Sequence, residues 1–132
     1  MIDLVVDASV AARAVTANSA EDRELRDRLT SSACHAPHLI DAEVGNALRK
    51  QVAAGAIEAD TAAAALHALE PLIATRYPHT AFAQQAWALR HNISYYDALY
   101  AALAARLGLP LLTADKRLAN APGLPCAVEV IS

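Results

Sequence analysis

Two hydrophobic rhythms alternate along the chain. The short run Ile2–Val6, interrupted only by Asp3, reads as a buried strand. "VAARAV" then shifts to helical spacing, with Ser9 as its N-cap. "SAEDRELRDRLT" is a second helix, with Leu25 and Leu29 at i, i+4 among alternating acids and arginines, so most of it is solvated surface. "CHAP" is a short strand closed by Pro37. From about Leu39 to Ala54, Ile40, Val44, Ala47 and Leu48 form one apolar stripe, and Gly55 ends that helix. A further helix runs from about Ala59 to Leu69 and should stop before Pro71. "LIATRY" reads as a strand. "HTAFAQQAWALRHN" is amphipathic, with Phe82, Ala86 and Leu89 inward and Trp87 also assigned to the core. "SYYDALYAALAARLG" is a strong helix, capped by Ser94, closed by Gly108, and striped by Tyr96, Leu99, Tyr100, Leu103 and Leu107. "LPLLTAD" and "CAVEVI" supply the last strands.

Strands that alternate with helices predict a parallel sheet covered on both faces. The expected class is therefore α/β, a three-layer α/β/α domain with a central sheet of four to five strands. With 132 residues and no linker, repeat or low-complexity stretch, a single domain over 1–132 is expected.

Composition narrows the function. Net charge is −3 and the pI is near 5.9, against a protein held on nucleic acid by bulk positive charge. Local phosphate contacts stay open, because nine of the eleven basic residues are Arg. Cys34 and Cys126 each begin a short apolar stretch and read as reduced, buried thiols. No basic residue precedes the apolar N-terminus, which Asp3 and Asp7 interrupt, so no signal peptide is expected. No apolar run is long enough to span a bilayer, and the expected location is the cytoplasm.

The acids carry the candidate chemistry. In a parallel sheet, sites lie beyond the carboxyl ends of the strands. Asp7 follows the first strand, and Asp115 follows "LPLLT"; if these strands are neighbours, the two acids meet. Glu43 sits in "LIDAEVGNAL" with Asn46 three residues on, on the same helix face. Asp97 lies in the first turn of "SYYDALYAAL", above Ala101 and Ala104, whose small side chains allow close approach. Four carboxylates in one pocket repel one another. A hard divalent cation relieves that repulsion, with Mg²⁺ the natural candidate and Mn²⁺ suited to the same ligands. Ser9 and Thr113 would add hydroxyls. There is no Gly-rich phosphate loop, no nucleophile elbow, and no third ligand near His35 and His38.

These blocks resemble the PIN-domain ribonucleases, in particular VapC-type toxins of bacterial toxin–antitoxin pairs. "VVDAS" resembles the family's opening strand and first acid. "APHLIDAEVGNALRK" resembles its second block, and "SYYDALYAALAARLGLPLLTADKRL" its third and fourth. The resemblance spans nearly the whole chain. It implies a PIN-like α/β/α fold with an acidic pocket for Mg²⁺ or Mn²⁺, and endonucleolytic cleavage of RNA. It also implies a VapB-like antitoxin that blocks the pocket, commonly with a basic side chain, together with a homodimer and a toxin–antitoxin hetero-oligomer. Asp7, Glu43, Asp97 and Asp115 are the implied metal-site acids, with Ser9, Asn46 and Thr113 secondary.

The chemistry expected of such a site is hydrolysis by a metal-activated water, in line with the scissile phosphodiester, leaving 5′-phosphate and 3′-hydroxyl ends. Arg13, Lys116 and Arg117 are candidate phosphate contacts. Three alternatives stand beside it: a PIN nuclease that is not a toxin, a catalytically silent PIN RNA-binding module, and a receiver-like phosphoacceptor domain. The last needs an acceptor Asp at the end of a central strand, and "LIATRYPHT" ends without one.

Overall fold

A computed structural model describes residues 1–132. Five strands form one wholly parallel sheet: β1 Ile2–Val6, β2 Ser32–Pro37, β3 Thr75–Tyr77, β4 Leu111–Thr113 and β5 Val128–Val130, in the order β3-β2-β1-β4-β5. Between them lie α1 Ala8–Thr16, α2 Ala20–Thr30, α3 Leu39–Ala53, α4 Ala59–Leu72, α5 Ala83–Ala88, α6 Tyr95–Leu107 and α7 Lys116–Ala119. The chain steps from β1 to β2 to β3 in one direction, then returns past β1 to β4. Right-handed crossovers put connections of opposite direction on opposite faces. Accordingly α1 packs with α2, α3 and α4, while α6 packs with α5 and against β1, β2 and β4. The expected three-layer architecture is present.

The core explains the alternation in the sequence. Val5, Val6, Leu111 and Leu112 pair across β1 and β4 and are buried. Thirty buried residues form one cluster. On α6, Ala98, Ala101, Ala102 and Ala104 are all buried, so this helix lies close against its neighbours. Its ends follow the expected signals. The Ser94 hydroxyl accepts from Asp97 N at 3.1 Å, and Gly108 takes φ +66° at the C-cap.

Several local expectations are corrected. Asp7, not Ser9, caps α1, because its Oδ1 accepts from Val10 N at 3.1 Å. Helix α4 runs past Pro71 to Leu72. Proline there removes only the donor that would reach the carbonyl of exposed His67. Arg76 meets the helix end instead: its guanidinium donates to the carbonyls of Leu69, Glu70 and Ile73. The "LIATRY" strand is shortened to Thr75–Tyr77. "HTAFAQQAWALRHN" is a 3-10 turn, His79–Ala81, followed by the short α5. Phe82, Ala86 and Leu89 do point inward, but Trp87 is 59% exposed and Tyr96 is 60% exposed, so neither is core. Cys34 and Cys126 are both free thiols, but only Cys34 is buried; Cys126, near the exposed edge of the sheet, is partly exposed.

Candidate active site

The sheet reverses direction between β1 and β4, and at such a switch the loops part to leave a crevice beyond the strand ends. Asp7 ends β1 there, and Asp115 follows β4. Helices from opposite faces bring the other two acids: Glu43 on the second turn of α3, and Asp97 in the first turn of α6. A cavity of about 150 Å³ is lined by Asp7, Ala8, Ser9, Glu43, Asp97, Tyr100 and Asp115. All four predicted acids therefore face one space.

Each acid is held differently. Asp7 is 5% exposed. Its Oδ1 accepts from Ser9 Oγ at 2.5 Å as well as from Val10 N, and its Oδ2 accepts from the Thr113 hydroxyl. Ser9 and Thr113 also reach the other side of the cavity. Ser9 Oγ accepts from Ala114 N at 3.1 Å, and Thr113 Oγ1 accepts from Asp115 N at 3.0 Å. The two hydroxyls thus tie the end of β1 to the turn after β4. Glu43 Oε1 accepts from the Tyr100 hydroxyl at 2.7 Å. Asp115 caps α7 by accepting from Arg117 N at 2.9 Å.

Burial raises the carboxyl pKa of Asp7, Glu43 and Asp97 above the ordinary range. At Asp7 the Ser9 and Thr113 hydroxyls and the amides of Val10 and Ser9 pull the other way. At Glu43 the Tyr100 hydroxyl opposes the rise, while the charges of Asp97 and Asp7 add to it. At Asp97 the Ser94 hydroxyl opposes it, Asp7 and Asp115 add to it, and Arg117 lowers it. These carboxylates feel one another through a poorly solvated space. Burial, then the hydrogen bond to Glu43 and the surrounding carboxylate charges, push the Tyr100 phenol upward, so it remains a donor.

No three of these side chains, as they stand, are arranged to hold a metal ion directly. Oxygens of Asp7, Glu43 and Asp115 are engaged by hydroxyls and amides instead. The donor set is nonetheless wholly carboxylate and hydroxyl oxygen, the chemistry that a hard divalent cation prefers.

The secondary residues divide. Asn46 lies one turn beyond Glu43, in an adjoining cleft that also reaches Ser9 and Lys50, and its Oδ1 accepts from Arg49 Nε at 3.1 Å. Lys116 and Arg117 are exposed at the start of α7 beside Asp115. Arg13 departs from expectation: it forms an ion pair with Asp22 of α2 at 2.8 Å and lines a different cleft, with Arg28 and Glu129. It is not a wall of the acid cavity. Tyr100 and Lys50 were not among the sequence candidates. Tyr100 carries a signal in hindsight, because three residues separate it from Asp97 and place it on the same helix face. A larger cavity of about 330 Å³ between α1, α2 and α4 contains no carboxylate and does not compete as a chemical site.

The PIN domain profile matches residues 4–124. Ribonuclease VapC1 of Mycobacterium tuberculosis is 49% identical over 132 residues, covering 99% of both chains. Among solved structures, PAE2754 from Pyrobaculum aerophilum is 26% identical with a TM-score of 0.65, covering 98% of this chain and 84% of that one. VapBC-5 from Mycobacterium tuberculosis, a member of the VapBC family of toxin-antitoxin systems, is 26% identical with a TM-score of 0.54, covering 99% and 98%. The order of acids around the β1–β4 switch and these likenesses agree: the chain belongs to the PIN-domain family, in its VapC branch.

Proposed function

We propose that this chain is a divalent-metal-dependent endoribonuclease and the toxin of a toxin–antitoxin pair. The observation that carries the reading is the meeting of four acids, from four separate segments, in one small cavity. The near-full-length identity to a protein named as a ribonuclease supports the reaction class. A receiver-like acceptor role is disfavoured, because the central-strand acid Asp7 is buried with both oxygens engaged.

Mg²⁺ or Mn²⁺ fits the site by the hardness and charge of its donors. When bound, it supplies positive charge that acidifies water and offsets charge building on the phosphodiester. In this reading Asp97 and Asp115 would hold the cation, with the charges of Asp7 and Glu43 beside them. Asp7 is fixed by Ser9, Thr113 and Val10, and so presents its charge in one orientation. Glu43 is steered by Tyr100, and burial raises its carboxyl pKa, which favours its acting as the acceptor of a proton. Lys116 and Arg117 hold RNA phosphates at the mouth. The products are expected to carry 5′-phosphate and 3′-hydroxyl ends.

The antitoxin is proposed on the same geometry. A cavity walled by four acids favours a partner that inserts a basic side chain. The likeness to VapBC-5 supports such a partner.

The test is cleavage of total cellular RNA with Mg²⁺ or Mn²⁺, followed by mapping of the new ends. Wild type is expected to cut, and Asp97→Ala and Asp115→Ala are expected not to. Equal cleavage by wild type and both variants would overturn the site. Calorimetric titration with Mn²⁺ is expected to show binding that both variants lose.

A further inference from the structure

Helix α3 carries Glu43, yet its own sequence gives it no cap. The N-cap position is His38, whose backbone is already helical and whose side chain makes no capping bond. The start of the helix is held instead by the segment that leaves β3. His38 N donates to the Tyr77 carbonyl at 3.0 Å, and Arg76 donates to both oxygens of Asp41. Leu39 N, the first amide of the helix, donates to Nε2 of His79 at 3.0 Å, across 40 positions of sequence. That bond needs a bare Nε2, so the ring proton of His79 sits on Nδ1. The ring is half-buried and meets Phe82 edge to face, with ring centroids 6.4 Å apart. Of these three ties, only the imidazole changes charge near neutral pH.

We propose that His79 is a positioning residue for Glu43: its neutral ring clamps the start of α3, and a proton on Nε2 opens the clamp. The bearing on cleavage rests on the ribonuclease reading above, whereas the clamp itself does not. A protonated Nε2 is a donor facing a donor, and it sets positive charge against the positive end of a helix. Leu39 lies one turn before Glu43. In an α-helix the Glu43 amide bonds the Leu39 carbonyl, so release of Leu39 loosens the turn from which Glu43 reaches Tyr100 and the acid cavity. Around the ring, α3 brings His38 and Asp41, β3 brings Arg76 and Tyr77, and α5 brings no ionisable side chain. Asp41 is committed to Arg76, and the Tyr77 hydroxyl to His35, so the one carboxylate among them is already neutralised. Burial, then the charge of His38, lowers the His79 pKa from its ordinary value. With the folded value lowered, the stability given by the clamp is complete above the usual imidazole value of about 6.5. It is lost as pH falls through the folded value.

The test compares the wild-type chain with His79→Gln, whose amide oxygen accepts from the same amide without titrating, and with His79→Ala, which has no acceptor. Hydrogen exchange at the Leu39 amide, divided by its intrinsic rate, reads the clamp by NMR. In wild type the protection is expected to hold at neutral pH. It is expected to fall roughly 2- to 10-fold, the range for one hydrogen bond, as the His79 ring resonances titrate. His79→Gln is expected to stay protected throughout, and His79→Ala to be low at every pH. The acids of the cavity titrate in all three chains, so a difference among them isolates His79. The Glu43 side-chain resonances are expected to differ between wild type and His79→Gln in acid and to coincide at neutral pH. Cleavage of RNA in Mg²⁺ is expected to follow: the His79→Gln rate matches wild type at neutral pH and exceeds it in acid, and His79→Ala is slow throughout. Circular dichroism confirms that the variants fold. A His79 pKa at or above its ordinary value, or Leu39 protection that ignores His79→Ala, overturns the clamp. Protection as expected with unmoved Glu43 resonances overturns the positioning role. Protection and Glu43 resonances as expected, with no cleavage by any chain, support the clamp and overturn the ribonuclease reading.

Discussion

Thr113 donates a hydrogen bond to Oδ2 of Asp7, a residue 106 positions earlier in the chain. The contact spans the seam between β1 and β4 and joins the two halves of the site. Ser9 doubles it from the first turn of α1, donating to Asp7 and accepting from Ala114 N. A buried carboxylate with this many donors is fixed in place, yet burial still raises its pKa. Asp7→Asn removes a charge that burial disfavours and keeps an acceptor for the hydroxyls. The variant is expected to be as stable as wild type or more so, in the manner of many active-site substitutions. Its cleavage is expected to fall to background. Thermal melts beside an RNA cleavage assay check both; a strongly destabilised Asp7→Asn would mean that the charge serves the fold.

The pH dependence of stability follows from the same wall. Asp7, Glu43 and Asp97 all have raised pKa values in the folded protein. An acid of this kind binds its proton more tightly folded than unfolded. Its contribution is complete below the unfolded value and is lost as pH rises through the folded one. Glu129, held down by Arg28, acts in the opposite sense, and its contribution disappears only as pH falls through its lowered value. Without divalent cations the Tm is therefore expected to fall as pH rises from just above the ordinary carboxylate values toward neutrality. Mg²⁺ is expected to flatten that slope. Scanning calorimetry in EDTA and in Mg²⁺ measures it, and a Tm that climbs with pH in EDTA would contradict the assignment.

Tyr100→Phe isolates the hydrogen bond to Glu43 and leaves the packing of the ring intact. Loss of the donor removes a force that favours the ionised carboxyl. The Glu43 pKa is expected to rise further, moving the acid limb of the cleavage profile to higher pH. The stability cost is expected to be about 1 kcal/mol. A pH–rate profile of the variant with its limb unmoved would separate Glu43 from the reaction.

Arg76 fastens the helix that carries Glu43. Its Nε and Nη2 donate to the two oxygens of Asp41 at 2.7 and 2.9 Å, while other bonds reach the end of α4. Lysine cannot reproduce this fork. Arg76→Lys is expected to cost about 1–2 kcal/mol in urea melts. Its effect on cleavage is expected to be smaller than that of Asp97→Ala.

Close approach of α6 depends on its alanines. Ala101→Leu places extra carbon where Ala101 is now fully buried, and overpacking of this kind costs typically 1–3 kcal/mol. Asp97 lies one turn away, so cleavage is expected to drop with stability. Wild-type activity in a destabilised Ala101→Leu chain would show that the site tolerates movement of the helix.

Most of this fold was legible because its signals are local. Ser94 and Gly108 bound α6 at the expected residues, and buried runs became strands. The four acids were legible for a different reason: strand ends and helix turns fix where side chains can point. What escaped depends on long-range contact. Ser9 looked like a cap until Asp7 took that role across one turn. Trp87 and Tyr96 looked like core because an aromatic at helical spacing usually is, and only the packed structure shows which turn reaches past the sheet. Arg13 looked free because its partner Asp22 belongs to another helix. Pro71 looked like a stop because the arginine that meets the helix end comes five residues later.

The strand order has a consequence in time. β1 occupies the middle of the sheet, but one of its two neighbours is β4, which follows more than a hundred residues later. A ribosome delivers Asp7 and Glu43 well before, and Asp97 shortly before, the strand that joins them. Contacts so distant in sequence form late, after their loops have closed. A chain halted ahead of Leu111 holds three of the acids but lacks Asp115 and the Thr113 hydroxyl that fixes Asp7. Whatever this crevice does to RNA, it is withheld from the nascent polypeptide until β4 has been made.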